Sequence, residues 1–319
     1  MSVDLHIWGI LGEQLRSSWG SNLLALVSPF FFSILPVRLH PVSAVTLLQA
    51  EQFAWELHFH PDRQNLNFVL EGLRHGFHLG FSPSQKLKSA KKNKLSTVQH
   101  PSVVDQYLAN EVSLGRVAGH FSAPPFPNLH LSRFGVIPKR GQPRKWHLIV
   151  DLSSPGRSSF NDGIDPDKFT LHYISLDQVI CLVSKLGPEA LMANFDVEAA
   201  YRNMPVHPSH DILLEMKWYD QLFVDLVLSF GLRSAPFIFK SIADMVEWIL
   251  VNSYKIPDLL HYLDDLITAS PPQSLQCAHN LATAMQVCQW LGLPLHPAKL
   301  WALLWFLLSW GSSSTLSVK

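Results

Sequence analysis

Leu259-Leu260-His261-Tyr262-Leu263-Asp264-Asp265-Leu266-Ile267-Thr268-Ala269 is the most informative stretch of the chain. The apolar runs on either side read as two short strands, Leu259 to Tyr262 and Leu266 to Ala269, joined by Leu263-Asp264-Asp265. A tight hairpin turn favours Asn-Gly or Asp-Gly. Two adjacent carboxylates repel each other there, and something must offset that cost. A divalent cation held by oxygen ligands does so directly. A third carboxylate, Asp196, ends its own apolar strand, Leu191 to Val197. With the two strand ends side by side, Asp196 and Asp264 share a pair of metal ions about 4 Å apart. That arrangement clamps the attacking and leaving oxygens of a phosphoryl displacement. Taken singly, Asp264-Asp265 fits a polar turn and Asp196 a strand-terminal helix cap; the joint pattern points to metal chemistry.

The rest of the chain is consistent with a folded enzyme. Its 319 residues suffice for about two domains or one large one. Hydrophobic residues make up 47% and charged residues only 16%, so the chain has a sizeable core and is not disordered. Lys+Arg and Asp+Glu both number 25, which excludes a globally basic nucleic-acid binder but leaves local basic patches. Cys181, Cys277 and Cys288 cannot form a disulfide framework or a four-cysteine zinc site, and read as reduced thiols. The apolar stretch Leu23 to Val37 contains Pro29 and Pro36 and falls short of the ~20 residues of a membrane span. Asp4, Glu13 and Arg16 before it do not make the basic region of a signal peptide. The sequence therefore predicts an intracellular protein, cytoplasmic or nuclear, without a membrane partner. Protease, hydrolase and P-loop signatures do not occur.

The chain divides into an apolar N-terminal extension over 1–45, a helical segment with a basic linker over 46–100, a main domain over 101–300, and an atypical apolar tail over 301–319. Within 46–82, Trp55, Leu57, Phe59, Phe68, Leu70 and Leu73 suggest amphipathic helix. Residues 83–100 hold Lys86, Lys88, Lys91, Lys92 and Lys94, and read either as a solvated loop or as a phosphate-contacting segment. A helix comes next, over 102–115. Phe134 to Pro138 and Trp146 to Leu152 form a hairpin with a basic tip from Lys139 to Lys145. Ile212 to Trp218 and Leu222 to Leu228 form another around Tyr219-Asp220. Pro236 sits in the first turn of a helix that carries Ile238, Ile242, Met245 and Ile249 at helical spacing. A last helix stops before Gly292. This order of elements predicts an α+β domain with an antiparallel sheet and helices on one face. The tail from Trp301 to Trp310 shows no strand alternation.

Five motifs, in order across roughly residues 100–300, resemble those of reverse transcriptases. Phe195-Asp-Val-Glu-Ala-Ala-Tyr201-Arg-Asn-Met-Pro-Val206 resembles the first catalytic motif, and Phe230-Gly-Leu-Arg-Ser-Ala-Pro236-Phe-Ile-Phe the second. Tyr262-Leu-Asp-Asp265 resembles the YxDD box, and Gly292-Leu-Pro-Leu-His-Pro-Ala-Lys299 the next, lysine-bearing motif. Arg133 to Lys139 with Trp146 to Asp151 resembles the fingers hairpin. The wording of Leu114 to Gly119, Ser132 to Pro138 and Val150 to Pro155 is most similar to the tyrosine-recombinase, DIRS-like retrotransposons.

The resemblance implies a right-hand polymerase. It would have fingers and a palm with a ferredoxin-like antiparallel sheet, and would make DNA on an RNA or DNA template with a primer from dNTP substrates. It makes Asp196, Asp264 and Asp265 the catalytic residues and, with the carbonyl of Val197, the ligands of two Mg²⁺ or Mn²⁺ ions. Tyr201 would lie under the sugar and exclude a 2′-hydroxyl by shape. Lys139 would reach the triphosphate, Gly231 would allow close approach of the template-primer, and Phe230, Arg233 and His147 would border the nucleotide. Lys299 is the candidate proton donor to pyrophosphate. The chain departs from the pattern in three places. His147 replaces an arginine, Ser229 replaces a proline, and no thumb or RNase H segment comes after Lys299. Two other functional classes compete: a degenerate retroelement fragment that binds nucleic acid weakly and is inactive, and a two-metal nuclease. The nuclease needs neither the fingers hairpin nor Tyr201.

Overall fold

The computed structural model describes residues 44, 46–84, 86–90, 92–126, 130–139 and 141–296, together with the backbone of 301–305. Almost all of the N-terminal extension, and Lys299, lie outside these residues. The chain enters through helices α1 (Ala50–Glu56) and α2 (Arg63–His75). Asp62 caps α2, its Oδ1 accepting the Asn65 N–H at 2.9 Å, a contact that satisfies one orphan donor of the first turn. Leu66, Val69, Leu70 and Leu73 recur at helical spacing and are buried. Trp55 and Phe59, expected in that apolar face, are instead 73% and 79% exposed: α1 turns Trp55 outward and buries Phe53, and it ends before Phe59.

After α3 (Leu95–Gln99) and α4 (Pro101–Ser113) come strands β1 (Val117–Phe121), β2 (Leu131–Lys139) and β3 (Gln142–Asp151). Helix α5 (Leu176–Leu186) opens on a reciprocal capping box between Ser175 and Gln178. The remaining elements are β4 (Leu191–Asp196), β5 (Glu215–Trp218), β6 (Gln221–Asp225), α6 (Ala235–Asn252), β7 (Leu259–Tyr262), β8 (Asp265–Ser270), α7 (Gln276–Trp290) and β9 (Trp301–Trp305).

These strands build two sheets, where the sequence suggested one. The first runs β1-β6-β5-β2-β3 and is mixed: Leu131 and Ser132 of β2 pair in parallel with Glu215 and Met216 of β5. The second runs β7-β8-β4-β9, antiparallel throughout. Taken as β4-α6-β7-β8-α7-β9, this second sheet has the split βαββαβ order of ferredoxin-like folds, with the β5–β6 hairpin inserted after β4. Leu191, Ala193 and Phe195 are buried on one face of β4, which packs against α7. Asn194 and Asp196, offset by the strand's period of two, share the other.

Phe53, Leu57 and Val69 of the 46–100 segment join the same apolar core as Phe195 and Ile242. The basic linker is a strap and a helix. The N–H groups of Ala90 and Lys94 donate to the carbonyls of Leu131 and Phe134, and the Lys94 ammonium pairs with Asp151 at 3.0 Å. The tail correction is larger: Trp301–Trp305 pairs antiparallel with β4 from Leu191 to Asn194. Among the described residues, no helix is long and apolar enough to cross a membrane.

Candidate active site

The β4–β8 register brings the acidic residues together. Asp196 lies directly opposite Asp265, and Tyr262 pairs with Asp265 across the β7–β8 turn. The Val197 N–H donates to the Asp264 carbonyl at 3.0 Å, which ties the end of β4 to the turn itself. From the other side, the His296 N–H donates to the Asp196 carbonyl at 2.8 Å. One carboxylate oxygen from each of Asp196, Asp264 and Asp265 falls within 4.8 Å of the others. Asp196 is buried and the other two are half-buried. Like charges directly opposite in a sheet are destabilising. The turn is strained as well: Leu263 has φ +54° and Ala199, beyond β4, has φ +51°. Each such non-glycine residue costs roughly 1–2 kcal/mol, and such residues gather at functional sites. An all-carboxylate donor set suits a hard cation such as Mg²⁺ or Mn²⁺ and, lacking histidine and cysteine, is a poor zinc site.

Asn194, two residues before Asp196, donates from Nδ2 to Asp265 Oδ1 at 3.2 Å and orients that carboxylate. The period-two spacing along β4 was the available signal for it. Tyr201 closes the cluster on one side. Burial pushes its hydroxyl pKa up to about 12, and the nearby Asp264 charge adds to the shift. The ring therefore stays neutral beside the carboxylates. It packs on Phe230 with centroids 5.2 Å apart and edge-on to Phe239 at 5.9 Å.

Phe230 is 54% exposed and leads into Gly231, whose φ of +92° an L side chain rarely adopts. A Cβ on Gly231 would lie 3.4 Å from the Val150 carbonyl oxygen of β3, so the loop rests against the base of the β2–β3 hairpin. Asn161 holds this loop in place. Its Nδ2 donates to the Gly231 carbonyl at 2.8 Å, and its Oδ1 accepts the Arg233 N–H at 2.9 Å. Arg233 donates from Nη1 to the Ile164 carbonyl at 2.8 Å, so it latches the loop in this structure. Asn161 was not foreseen, because nothing local in the sequence marks it. Lys139 and His147 lie on the hairpin, half-buried and exposed respectively, and His147 is opposite Ile137. They sit on the other sheet from the acidic cluster.

Beneath Tyr201 lies a buried ion network that sequence reasoning also missed. Arg202 donates from Nε and Nη2 to Glu111 Oε2 at 2.9 and 2.6 Å, and from Nη1 to both Asp225 oxygens at 2.7 and 2.8 Å. Burial alone would lower the Arg202 pKa, but Asp225 and Glu111 outweigh it and hold the guanidinium charged.

Comparison with known proteins identifies the architecture. The foamy viral protease–reverse transcriptase, in its structure with an RNA/DNA hybrid, superposes with a TM-score of 0.52 at 14% identity, over 81% of this chain and 34% of that one. The fold is reverse-transcriptase-like. The native prototype foamy virus protease–reverse transcriptase aligns at 18% identity and a TM-score of 0.47, over 68% of this chain and 25% of that one. In sequence, the domain is 25% identical over 142 residues to polyprotein P3 of Commelina yellow mottle virus, 44% of this chain and 7% of the polyprotein. No family model matches the chain. The reverse-transcriptase-like domain thus spans about a third or less of the length of each of these relatives.

Proposed function

We propose that this chain carries out template-directed DNA synthesis by two-metal-ion nucleotidyl transfer, as the polymerase part of a retroelement reverse transcriptase. The convergence of Asp196, Asp264 and Asp265 at one sheet edge carries this reading. In it, the β7-β8-β4-β9 sheet with α6 and α7 is the palm and the β2–β3 hairpin belongs to the fingers. The substrates are dNTPs and a primed RNA or DNA template. The three aspartates, with the Val197 carbonyl, would hold two Mg²⁺ or Mn²⁺ ions. When bound, such ions stabilise charge on the attacking and leaving oxygens of an in-line phosphoryl displacement.

The chain's own residues do the rest. Asn194 orients Asp265, and Val197 fixes Asp264 through its N–H. The neutral Tyr201 ring, braced by Phe230 and Phe239, fills the space where a 2′-hydroxyl would project. Gly231 keeps the loop low against β3 so that a nucleic-acid backbone passes closely. Lys139 and His147 meet the triphosphate when the hairpin closes, and Lys299 donates a proton to pyrophosphate. The DIRS-like affiliation rests on the wording of residues 114–119, 132–138 and 150–155.

His147 favours a second reading, a degenerate copy with weakened nucleotide binding. A shorter imidazole replaces the planar, permanently charged arginine expected there. Primer extension with Mg²⁺ and dNTPs tests both readings. Extension by the wild-type chain, lost in Asp264→Asn, supports the polymerase. Absence of extension in the wild type and in His147→Arg alike would refute it.

A further inference from the structure

A cluster of histidines lies outside the acidic cluster, where the segment after α2 meets the turn before β5. The chain crosses tightly here. The Phe77 N–H donates to the Pro205 carbonyl at 2.8 Å, and the His207 N–H donates back to the Phe77 carbonyl at 3.0 Å. Gly76 has φ +90°, and a Cβ there would come within 2.4 Å of the Val206 carbonyl oxygen, so the two backbones are locked together. On this frame stand three imidazoles. His78 Nδ1 and His210 Nε2 are 3.1 Å apart, although 132 residues separate them in sequence. The His207 ring stacks on His78 with centroids 4.1 Å apart.

We propose that His78 and His210 form a two-imidazole chelate for a borderline first-row dication, Zn²⁺, Ni²⁺ or Cu²⁺. Two nitrogens bound to one such ion at about 2.0–2.1 Å lie roughly 2.9–3.4 Å apart, for square or tetrahedral angles respectively. The observed 3.1 Å falls inside that span without backbone movement. Among the described residues, neither ring hydrogen-bonds to a carboxylate or a backbone carbonyl, so ligation breaks only the contact between them. The proton balance closes. The ring that donates the N–H moves that proton to its other nitrogen, and both neutral imidazoles then present lone pairs to the metal.

His207 plays a different part. Its Nδ1 accepts the Ser209 N–H at 3.2 Å, which fixes the proton on Nε2. His207 is therefore a positioning residue that holds the plane of His78. A cleft of about 400 Å³, lined in part by His75, His78 and His207, opens beside the His78 ligand and leaves room for water there. Bound metal would pin the segment after α2 to the β5–β6 insertion, far in sequence from the aspartates.

The test is calorimetric titration of the full chain with Cu²⁺, Ni²⁺ or Zn²⁺ in excess Mg²⁺, which occupies the carboxylate cluster. We expect one equivalent with Cu²⁺ tightest, in the general order of divalent affinities. His78→Ala and His210→Ala should each weaken it at least tenfold, while His279→Ala, an exposed histidine of α7, should leave it unchanged. Substoichiometric Cu²⁺ added to the wild type should broaden the His78 and His210 imidazole resonances first, a readout that does not depend on any variant folding. Persistence of the equivalent in both variants, its loss in His279→Ala, or first broadening elsewhere would overturn the proposal.

Discussion

Replacing Arg202 with methionine removes the positive centre of the buried network while keeping most of its volume. The side chain of Arg202 is 4% exposed, that of Glu111 7% and that of Asp225 1%. Four of its hydrogen bonds, all charge-assisted, reach those two carboxylates. Breaking a buried ion pair by deleting one partner costs about 3–5 kcal/mol, because the remaining charge is left uncompensated. Here two carboxylates lose their partner. Arg116, 4.0 Å from Glu111 Oε1, and the Ser229 hydroxyl on Asp225 Oδ2 relieve part of the loss, so the upper half of that range is the expected figure.

The assay is urea unfolding of Arg202→Met monitored by tryptophan fluorescence, repeated near pH 5 and pH 8. The sign of the pH effect comes from Asp225, whose pKa burial already raises. Without the guanidinium it rises further above the unfolded value, so the penalty is full at high pH and shrinks as pH falls and Asp225 protonates. The deficit should therefore be smaller near pH 5. Combining Arg202→Met with apolar replacements at 111 and 225 should recover most of the stability, since a well-packed apolar cluster can match a buried ion network. A single-variant deficit under about 1 kcal/mol, or one identical at the two pH values, would refute this account of the network.

Asp264→Asn should abolish metal-dependent extension and weaken Mg²⁺ binding at the cluster by at least tenfold, read by calorimetry; unchanged binding removes Asp264 from the site. Tyr201→Ala should lower the discrimination between deoxy- and ribonucleotides in kcat/KM while the unfolding midpoint falls only modestly; unchanged discrimination returns Tyr201 to the core. Burial pushes the Glu215 carboxyl up to about 7. Stability should then be lost as pH climbs from the usual carboxylate range to about 7, and Glu215→Gln should flatten that slope. The comparison must be variant against wild type, because His210, pushed down to about 4 by burial and by its histidine neighbours, contributes an opposite slope between about pH 6.5 and 4. His147→Arg should lower the dNTP KM in any active preparation, and an unchanged KM would place His147 away from the triphosphate.

Legibility in the sequence depends on the range of the determining interaction. The Asp264 turn, the β2–β3 hairpin and α6 are readable because their signals are local: apolar runs around a turn, a basic tip, and Pro236 in a first helical turn. Their bounds differ by a few residues, and β8 begins at Asp265 itself. The unreadable features are non-local. Asn161 finds Gly231 across 70 residues, and Arg202 finds Glu111 across 91; no spacing rule encodes either pairing. The lysine-rich strap reads as a loop because composition reports solvation but not the β2 backbone carbonyls on which Ala90 and Lys94 dock. Strand β9 escapes notice because its apolar run lacks the alternation that marks a strand in sequence, and only its pairing with β4 reveals it.

The topology explains why three acids separated along the chain end in one place. Strand β8 inserts between β7 and β4, so the tip of the β7–β8 hairpin is delivered beside the end of β4. Register then matters more than proximity. Asp196 faces Asp265 because Leu191 faces Ser270, five residues back along the same ladder. A slip of one residue would keep the strands paired and the backbone bonds made, yet would turn Asp196 toward the helices and Phe195 toward solvent. What forbids that slip is the apolar face of β4, where Leu191, Ala193 and Phe195 are buried beneath α7. The core and the acidic cluster are therefore two faces of one register. The hydrophobic side supplies the energy that fixes it, and the acidic side inherits the alignment despite the repulsion of Asp196 and Asp265.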